Sequence, residues 1–90
     1  MKNSFYDLFK MIKEKKVREG DILVVYSKTD EDFIDYYRVQ DKDIIWLQCE
    51  KNERVWLFDN FFLVDLLDNY YFKVVFKDKE KQEIFEKLGY

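Results

Sequence analysis

The side chains that could carry out catalysis are few in this 90-residue chain. It contains no His, one Cys, two Ser and one Thr, so acid and base chemistry near neutral pH would depend on carboxylates. Cys49 lies on the predicted aliphatic face of a hairpin, beside Leu47 and Val55, which favours a small buried side chain over a nucleophile. A domain of this size also has little room for a shielded cleft. The sequence therefore predicts a protein that is not an enzyme and that uses no cofactor.

Carboxylates could also bind metal ions, and four of them lie close together in the sequence. They are Asp30, Glu31, Asp32 and Asp35. The segment lacks the Gly at the sharp turn and the closing Glu of a calcium loop, and one Cys without any His cannot complete a structural zinc site. We therefore predict no metal site, and we interpret the segment as a solvated acidic loop whose residues are candidates for contact with a partner.

Charge is distributed unevenly along the chain, although the net charge is only −3. Residues 10–18 carry five basic side chains and one acid, whereas residues 30–68 carry eleven acids and four basic side chains. The basic cluster consists of Lys10, Lys13, Lys15, Lys16 and Arg18. This cluster would either complement the C-terminal end of a helix or contact the phosphates of a nucleic acid. The acidic middle could instead imitate nucleic acid and compete for the nucleic-acid-binding surface of a partner.

The stretch 44–58 carries the aromatic residues that we consider first for binding. Two apolar runs flank a short polar linker, a pattern that is typical of a β-hairpin. With Glu50 opposite Arg54, the period of two makes one face of the hairpin aliphatic and the other aromatic. The aromatic face includes Trp46, Trp56 and Phe58. It would be covered in part by the terminal helices or offered to a partner, and Tyr37 on the preceding strand is a further exposed candidate.

Periodicity and turn residues predict the other elements. The predicted order is a helix at 4–16, strands at 22–27 and 33–39, the hairpin at 44–58, a short helix at 61–67, a strand at 70–76 and a helix at 78–88. A near-repeat of nine residues leaves a second interpretation open for 59–69, in which two Asp-Asn pairs are hairpin turns and the sheet continues as a meander. We prefer the short helix, because its apolar residues would suit burial.

Four strands, a short helix and a fifth strand follow one another in SH3-like barrels, which the segment 17–76 resembles. The ending LVDLLDNYYFKVV looks like that of many small phage and prophage proteins. The resemblance implies an α+β domain with a small five-stranded antiparallel sheet, curled or closed into an SH3-like barrel. The Ala-Leu-Tyr-Asp-Tyr run of peptide-binding SH3 domains is absent, so their ligand is not carried over.

These elements are predicted to form one domain, with an N-terminal helix at 1–18, a β-rich core at 19–76 and a C-terminal helix at 77–90. No apolar run approaches the roughly 18 residues of a membrane span, and the single Cys suits the cytoplasm. We expect a module that binds another protein, as a phage or mobile-element inhibitor or modulator of a host or defence protein. The alternatives are a nucleic-acid-binding small barrel that uses the basic cluster, and a structural protein that associates with itself, for example as a homodimer.

Overall fold

The computed structural model describes residues 2–41, 43–48 and 53–90. Its five strands are β1 (Asn3–Ser4), β2 (Ile22–Ser27), β3 (Ile34–Gln40), β4 (Asp43–Trp46) and β5 (Tyr70–Val75). The helices of the described residues are a 3₁₀ helix (Phe5–Asp7), α1 (Leu8–Lys13), α2 (Leu57–Asn60), α3 (Leu63–Asn69) and α4 (Asp78–Leu88). The predicted α+β class with a five-stranded antiparallel sheet is confirmed, and the sheet is open, not closed into a barrel.

Strand β2 lies at the centre of the sheet, whose order is β1-β5-β2-β3-β4. It pairs with β5 on one side and with β3 on the other. Its residues from Ile22 to Val25 are all buried, whichever face of the sheet they point to. A short continuous apolar run of this kind is what a strand needs when both faces of its sheet are covered.

Helices cover the two faces of the sheet, and each face has its own hydrophobic core. The first core joins the sheet to the N-terminal segment and to α2 and α3 through Phe5, Leu8, Leu57 and Leu66. The second core joins it to α4 through Ile84, Phe85 and Leu88. Any binding surface therefore has to be built from side chains that the two cores leave exposed.

The N-terminal helix is shorter than the sequence predicts. Ser4 begins it as expected, because its Oγ accepts a hydrogen bond from the Tyr6 N–H at 3.3 Å. A 3₁₀ turn comes first, and α1 then ends at Lys13 instead of Lys16. The physical reason is the left-handed backbone of Lys15, at φ 59°, which stops the helix and turns the chain toward the central strand.

The predicted hairpin at 44–58 is wrong in its second half. Strand β4 ends at Trp46, and among the described residues the returning chain forms a single isolated bridge, between Ile45 and Trp56, before α2 begins. The predicted register would pair Ile45 with Asp59, so the observed bridge is shifted by three residues. Most of the predicted turn, and Cys49 before it, lie outside the described residues. The chain forms the short helix α2 at this point, where an extended strand was expected. The helix places Leu57 in the first core, where its side chain is fully buried. The fifth strand of the sheet is instead the N-terminal pair of residues in β1.

The C-terminal half follows the preferred prediction. A helix, not a meander, precedes the last strand, although α3 spans 63–69 instead of 61–67 and the additional helix α2 comes before it. Strand β5 ends one residue earlier than expected, and α4 has the predicted bounds. Gly89 ends α4 at φ 86°, a left-handed conformation that glycine adopts at low cost.

Candidate functional site

Two of the four predicted aromatic binding residues are exposed, and two are not. Trp56 and Phe58 are 38 % and 41 % exposed. Trp46 is half-buried against the first core, and Tyr37 is fully buried within it. The prediction of Tyr37 as an exposed candidate is therefore wrong, because the alternation of β3 turns its ring to the face that the N-terminal segment, α2 and α3 cover.

Trp56 and Phe58 line a surface groove of about 320 Å³ between α1, α2 and the start of β4. Phe9 of α1 stacks on Phe58 of α2, with ring centroids 5.8 Å apart and an interplanar angle of 14°. We call this depression the aromatic groove. Its lining consists of Phe9, Ile12, Val39, Ile44, Trp56 and Phe58, together with Asp41, Asp43 and Asp59.

The walls of the aromatic groove are held in place by buried neighbours of the exposed rings. On α1, Leu8 is buried in the first core, and Phe9 follows about 100° around the helix. On α2, Leu57 is buried in the same way and leaves Phe58 outside. Trp56 is fixed by its bridge to Ile45. The exposed rings therefore lie on anchored elements and are presented in a preformed arrangement.

Three carboxylates accompany the apolar lining. Asp41, in the turn between β3 and β4, has a left-handed backbone at φ 55°, and Asp43 begins β4. Asp59 belongs to α2. Within the described part of the chain, none of the three side chains forms an ion pair or a hydrogen bond, so their negative charges are available to a bound molecule. The groove thus combines an aromatic wall with acidic groups that have no ion-pair partner among the described residues.

Asp35 lies apart from this groove, in a buried hydrogen-bond network. Its carboxylate accepts a hydrogen bond from the Trp46 indole N–H at 2.5 Å and from the Tyr36 backbone N–H at 3.2 Å. The Tyr37 hydroxyl lies 3.5 Å from the same carboxylate and accepts a hydrogen bond from the Asn60 side chain. Trp46 and Asp35, both predicted partner contacts, are thus engaged inside the protein, where they connect β3, β4 and α2.

Burial raises the pKa of Asp35 above its ordinary value, although its hydrogen bonds to Trp46, Tyr36 and Tyr37 act in the opposite direction. The folded protein therefore holds this proton more tightly than the unfolded chain does. We expect the free energy of unfolding to fall as pH rises from the unfolded pKa through the higher folded pKa, and the variant Asp35→Asn to lack this loss.

Urea unfolding of the wild type and of Asp35→Asn, from about pH 4 to about pH 7, tests this expectation. The stability of the variant relative to the wild type should increase with pH and then level off. The exposed Asp32→Asn variant is the control and should track the wild type at every pH. The raised pKa would be contradicted if the free energy of unfolding of Asp35→Asn, relative to that of the wild type, did not vary with pH or decreased as pH rises.

The predicted acidic loop is exposed and is organised by its own turn. The Asp30 side chain accepts a hydrogen bond from the Asp32 N–H at 3.0 Å, and Glu31 between them is exposed. This loop lies before β3, whereas the aromatic groove lies at the opposite end of that strand. Asp35 is turned into the protein. The four acids therefore do not converge, and the described residues contain no cluster of three or more potential ligands that could hold a metal ion.

The basic cluster is partly neutralised. Lys10 and Lys16 both lie near the Glu14 carboxylate, at 4.0 and 3.4 Å, and the Arg18 side chain donates to the Lys15 carbonyl at 2.8 Å. Two of its members face a second depression of about 650 Å³, which we call the basic groove. Its cationic lining consists of Lys10, Lys16, Lys73 and Lys77, and the exposed ring of Phe76 lies among them with Asp7, Glu14 and Glu80.

A third exposed region was missed by the sequence analysis. Phe62 is 87 % exposed, and Leu63 and Val64 are also exposed, although Phe62 and Val64 were predicted to be buried in a short helix. Only Leu66 of α3 is buried in the first core. The run of apolar residues at 61–64 contains no polar side chain that would indicate which side faces water, so the sequence offers no signal for this exposure.

Comparison of the chain with protein-family models, with curated proteins and with solved structures gave no match. Among the described helices, none is long and apolar enough to cross a membrane.

Proposed function

We propose that this protein is a non-enzymatic module that binds another protein through the aromatic groove. The observation that supports it is the stacked pair of Phe9 and Phe58, which stays exposed beside Trp56 on elements that are anchored in the core. Contiguous exposed apolar surface on a small protein commonly marks an interaction site, and aromatic anchors contribute much of the binding energy at protein interfaces.

The size of the aromatic groove favours a macromolecular partner over a small substrate. About 320 Å³ is near the lower limit of the roughly 300–1,000 Å³ seen for small-molecule sites. The groove is an open depression bordered by carboxylates, with no His in the chain to assist proton transfer. Such a surface suits the insertion of a partner's side chains better than it suits catalysis.

The biological setting is part of the same proposal. A small acidic chain with the composition described above suits a cytoplasmic inhibitor or modulator from a phage or mobile element, directed at a host or defence protein. The test is affinity capture from a host lysate with the immobilised chain and with a variant in which Phe9 and Phe58 are replaced by Ala. Capture of the same partner by both proteins would contradict the proposal.

Nucleic-acid binding is a second candidate function, supported by the basic groove. Its four Lys side chains surround the exposed Phe76 ring, and single strands are held by cationic grooves in which bases stack on aromatic rings. Asp7, Glu14 and Glu80 in the same lining weaken the positive potential, so this function ranks second.

A gel-shift titration with single-stranded DNA and RNA tests the second candidate. If the basic groove binds a strand, we expect retardation at low salt, a loss of affinity as salt rises and weaker binding by Lys77→Gln. Lys79→Gln removes the same charge from an exposed residue that does not line the groove and should bind like the wild type. No retardation at low salt would eliminate this function.

A further inference from the structure

We propose that the partner segment that occupies the aromatic groove is positively charged and carries large apolar side chains between its Lys or Arg residues. This inference depends on the proposed function, since it names the chemistry of the partner that the groove binds. The inference follows from the three carboxylates of the lining, because an apolar groove without them would show no preference for a charged partner.

The apolar side chains of such a segment would contact the aromatic wall. Phe9 and Phe58 form one side, Trp56 lies in the same lining, and Val39 and Ile44 are buried residues of the sheet that complete it. The volume of about 320 Å³ suits anchoring side chains from a segment that lies on the surface. Removal of the exposed rings from water would supply the favourable part of binding.

The carboxylates decide the charge of the segment. Asp41, Asp43 and Asp59 would lose water when a partner covers the groove, and an apolar or acidic partner would leave them desolvated without compensation. Lys and Arg would instead form charge-assisted hydrogen bonds with them. Among the described residues no Lys or Arg lines the groove, so a cationic partner would supply charges that this described lining lacks.

The same charges argue against a second copy of the chain as the occupant. A symmetric contact would place the groove of one copy against the groove of the other and bring the three carboxylates of each copy together. The chain as a whole is also acidic, with a net charge of −3. A basic segment from a different protein would compensate the carboxylates of the groove, whereas a second copy would not.

Selection from a displayed library of random peptides, with the full-length chain as bait, tests the inference. Peptides that depend on the groove are those whose binding is lost with the Phe9→Ala/Phe58→Ala variant. We expect these peptides to be enriched in Lys and Arg next to aromatic or large aliphatic residues. Groove-dependent peptides that are neutral or acidic would overturn the inference and leave the proposed function standing, whereas a library without any groove-dependent peptide would overturn both.

Removal of the acidic groups gives the matched comparison. The variant Asp41→Asn/Asp43→Asn/Asp59→Asn keeps the side-chain shape, and Asn tolerates the left-handed backbone at position 41. We expect the selected peptides to bind it roughly tenfold more weakly at low salt, because each exposed ion pair contributes modestly. The control Glu19→Gln/Glu83→Gln/Glu86→Gln has the same net charge but keeps the groove, and its binding should match that of the wild type.

Two outcomes of these measurements would overturn the inference. One is equal weakening by the two charge variants, which would show a general effect of net charge. The other is a dimer in sedimentation equilibrium that the Phe9→Ala/Phe58→Ala variant abolishes, since a second copy of the chain would then be the occupant. A monomer that binds basic peptides through the three carboxylates supports it.

Discussion

Replacement of Leu57 by Ala is expected to lower the free energy of unfolding by about 2–5 kcal/mol. Leu57 is fully buried in the first core, and its truncation leaves a cavity between α2 and the sheet. Helix α2 has only four residues and no side-chain cap at its start, so burial of this side chain is a main contact that holds it. Urea unfolding monitored by fluorescence and circular dichroism measures the loss, which is a large part of the roughly 5–15 kcal/mol typical of small domains.

Leu63→Ala is the matched control for this prediction. It makes the same chemical change at the start of α3, where the side chain is exposed, and it should alter stability by less than about 0.5 kcal/mol. The Leu57 variant should also lose the fixed position of Phe58, because both residues belong to α2. Equal stability of the two variants would show that Leu57 does not anchor the wall of the aromatic groove.

The elements with strong local signals were predicted closely. Strand β2 and helix α4 have the bounds that the sequence indicates, the first from a continuous apolar run and the second from a helical pattern closed by Gly89. Strand β5 differs by one residue. In each of these segments, the apolar pattern and a neighbouring turn residue agree on one structure, so no distant contact is needed to select it.

The segment 53–60 could not be predicted in this way, because its structure depends on distant residues. Its apolar run fits a strand as well as a helix when only local pattern is considered. Burial of Leu57 in the first core and the hydrogen bond from Asn60 to the Tyr37 hydroxyl favour the helix. Both contacts are tertiary, and neither can be recognised from the spacing of residues in the sequence.

The candidate site was predicted only in part for a similar reason. Trp56 and Phe58 were identified as aromatic and potentially exposed, but Phe9 was not, because the N-terminal helix to which it belongs was expected to help cover the aromatic face. Leu8 occupies that buried position, and successive residues of an α-helix differ by about 100° in direction, so Phe9 points outward. The acids of the groove come from a turn, a strand and a helix, and only the fold brings them together.

Replacement of both Phe9 and Phe58 by Ala is expected to weaken partner binding at least about 30-fold. This factor corresponds to a loss of about 2 kcal/mol, the lower limit for an anchoring residue at a protein interface. The two rings stack on each other, so their joint removal eliminates one wall of the aromatic groove. The dissociation constant of the captured partner, or of a selected peptide, measures the effect by isothermal titration calorimetry.

The double variant should remain folded, which separates loss of binding from loss of structure. Phe9 is 63 % exposed and Phe58 is 41 % exposed, so neither belongs to the buried core, and we expect the lost ring contact, about 0.5–1.5 kcal/mol, to be a main part of the stability cost. Phe76→Ala is the control, since Phe76 is 63 % exposed, as is Phe9, but lies in the basic groove. Binding that survives the double substitution, or that Phe76→Ala reduces equally, would place the interaction outside the aromatic groove. Selective loss with the Phe9 and Phe58 variant would identify the two rings as anchors, because the control removes a ring of the same kind from another surface.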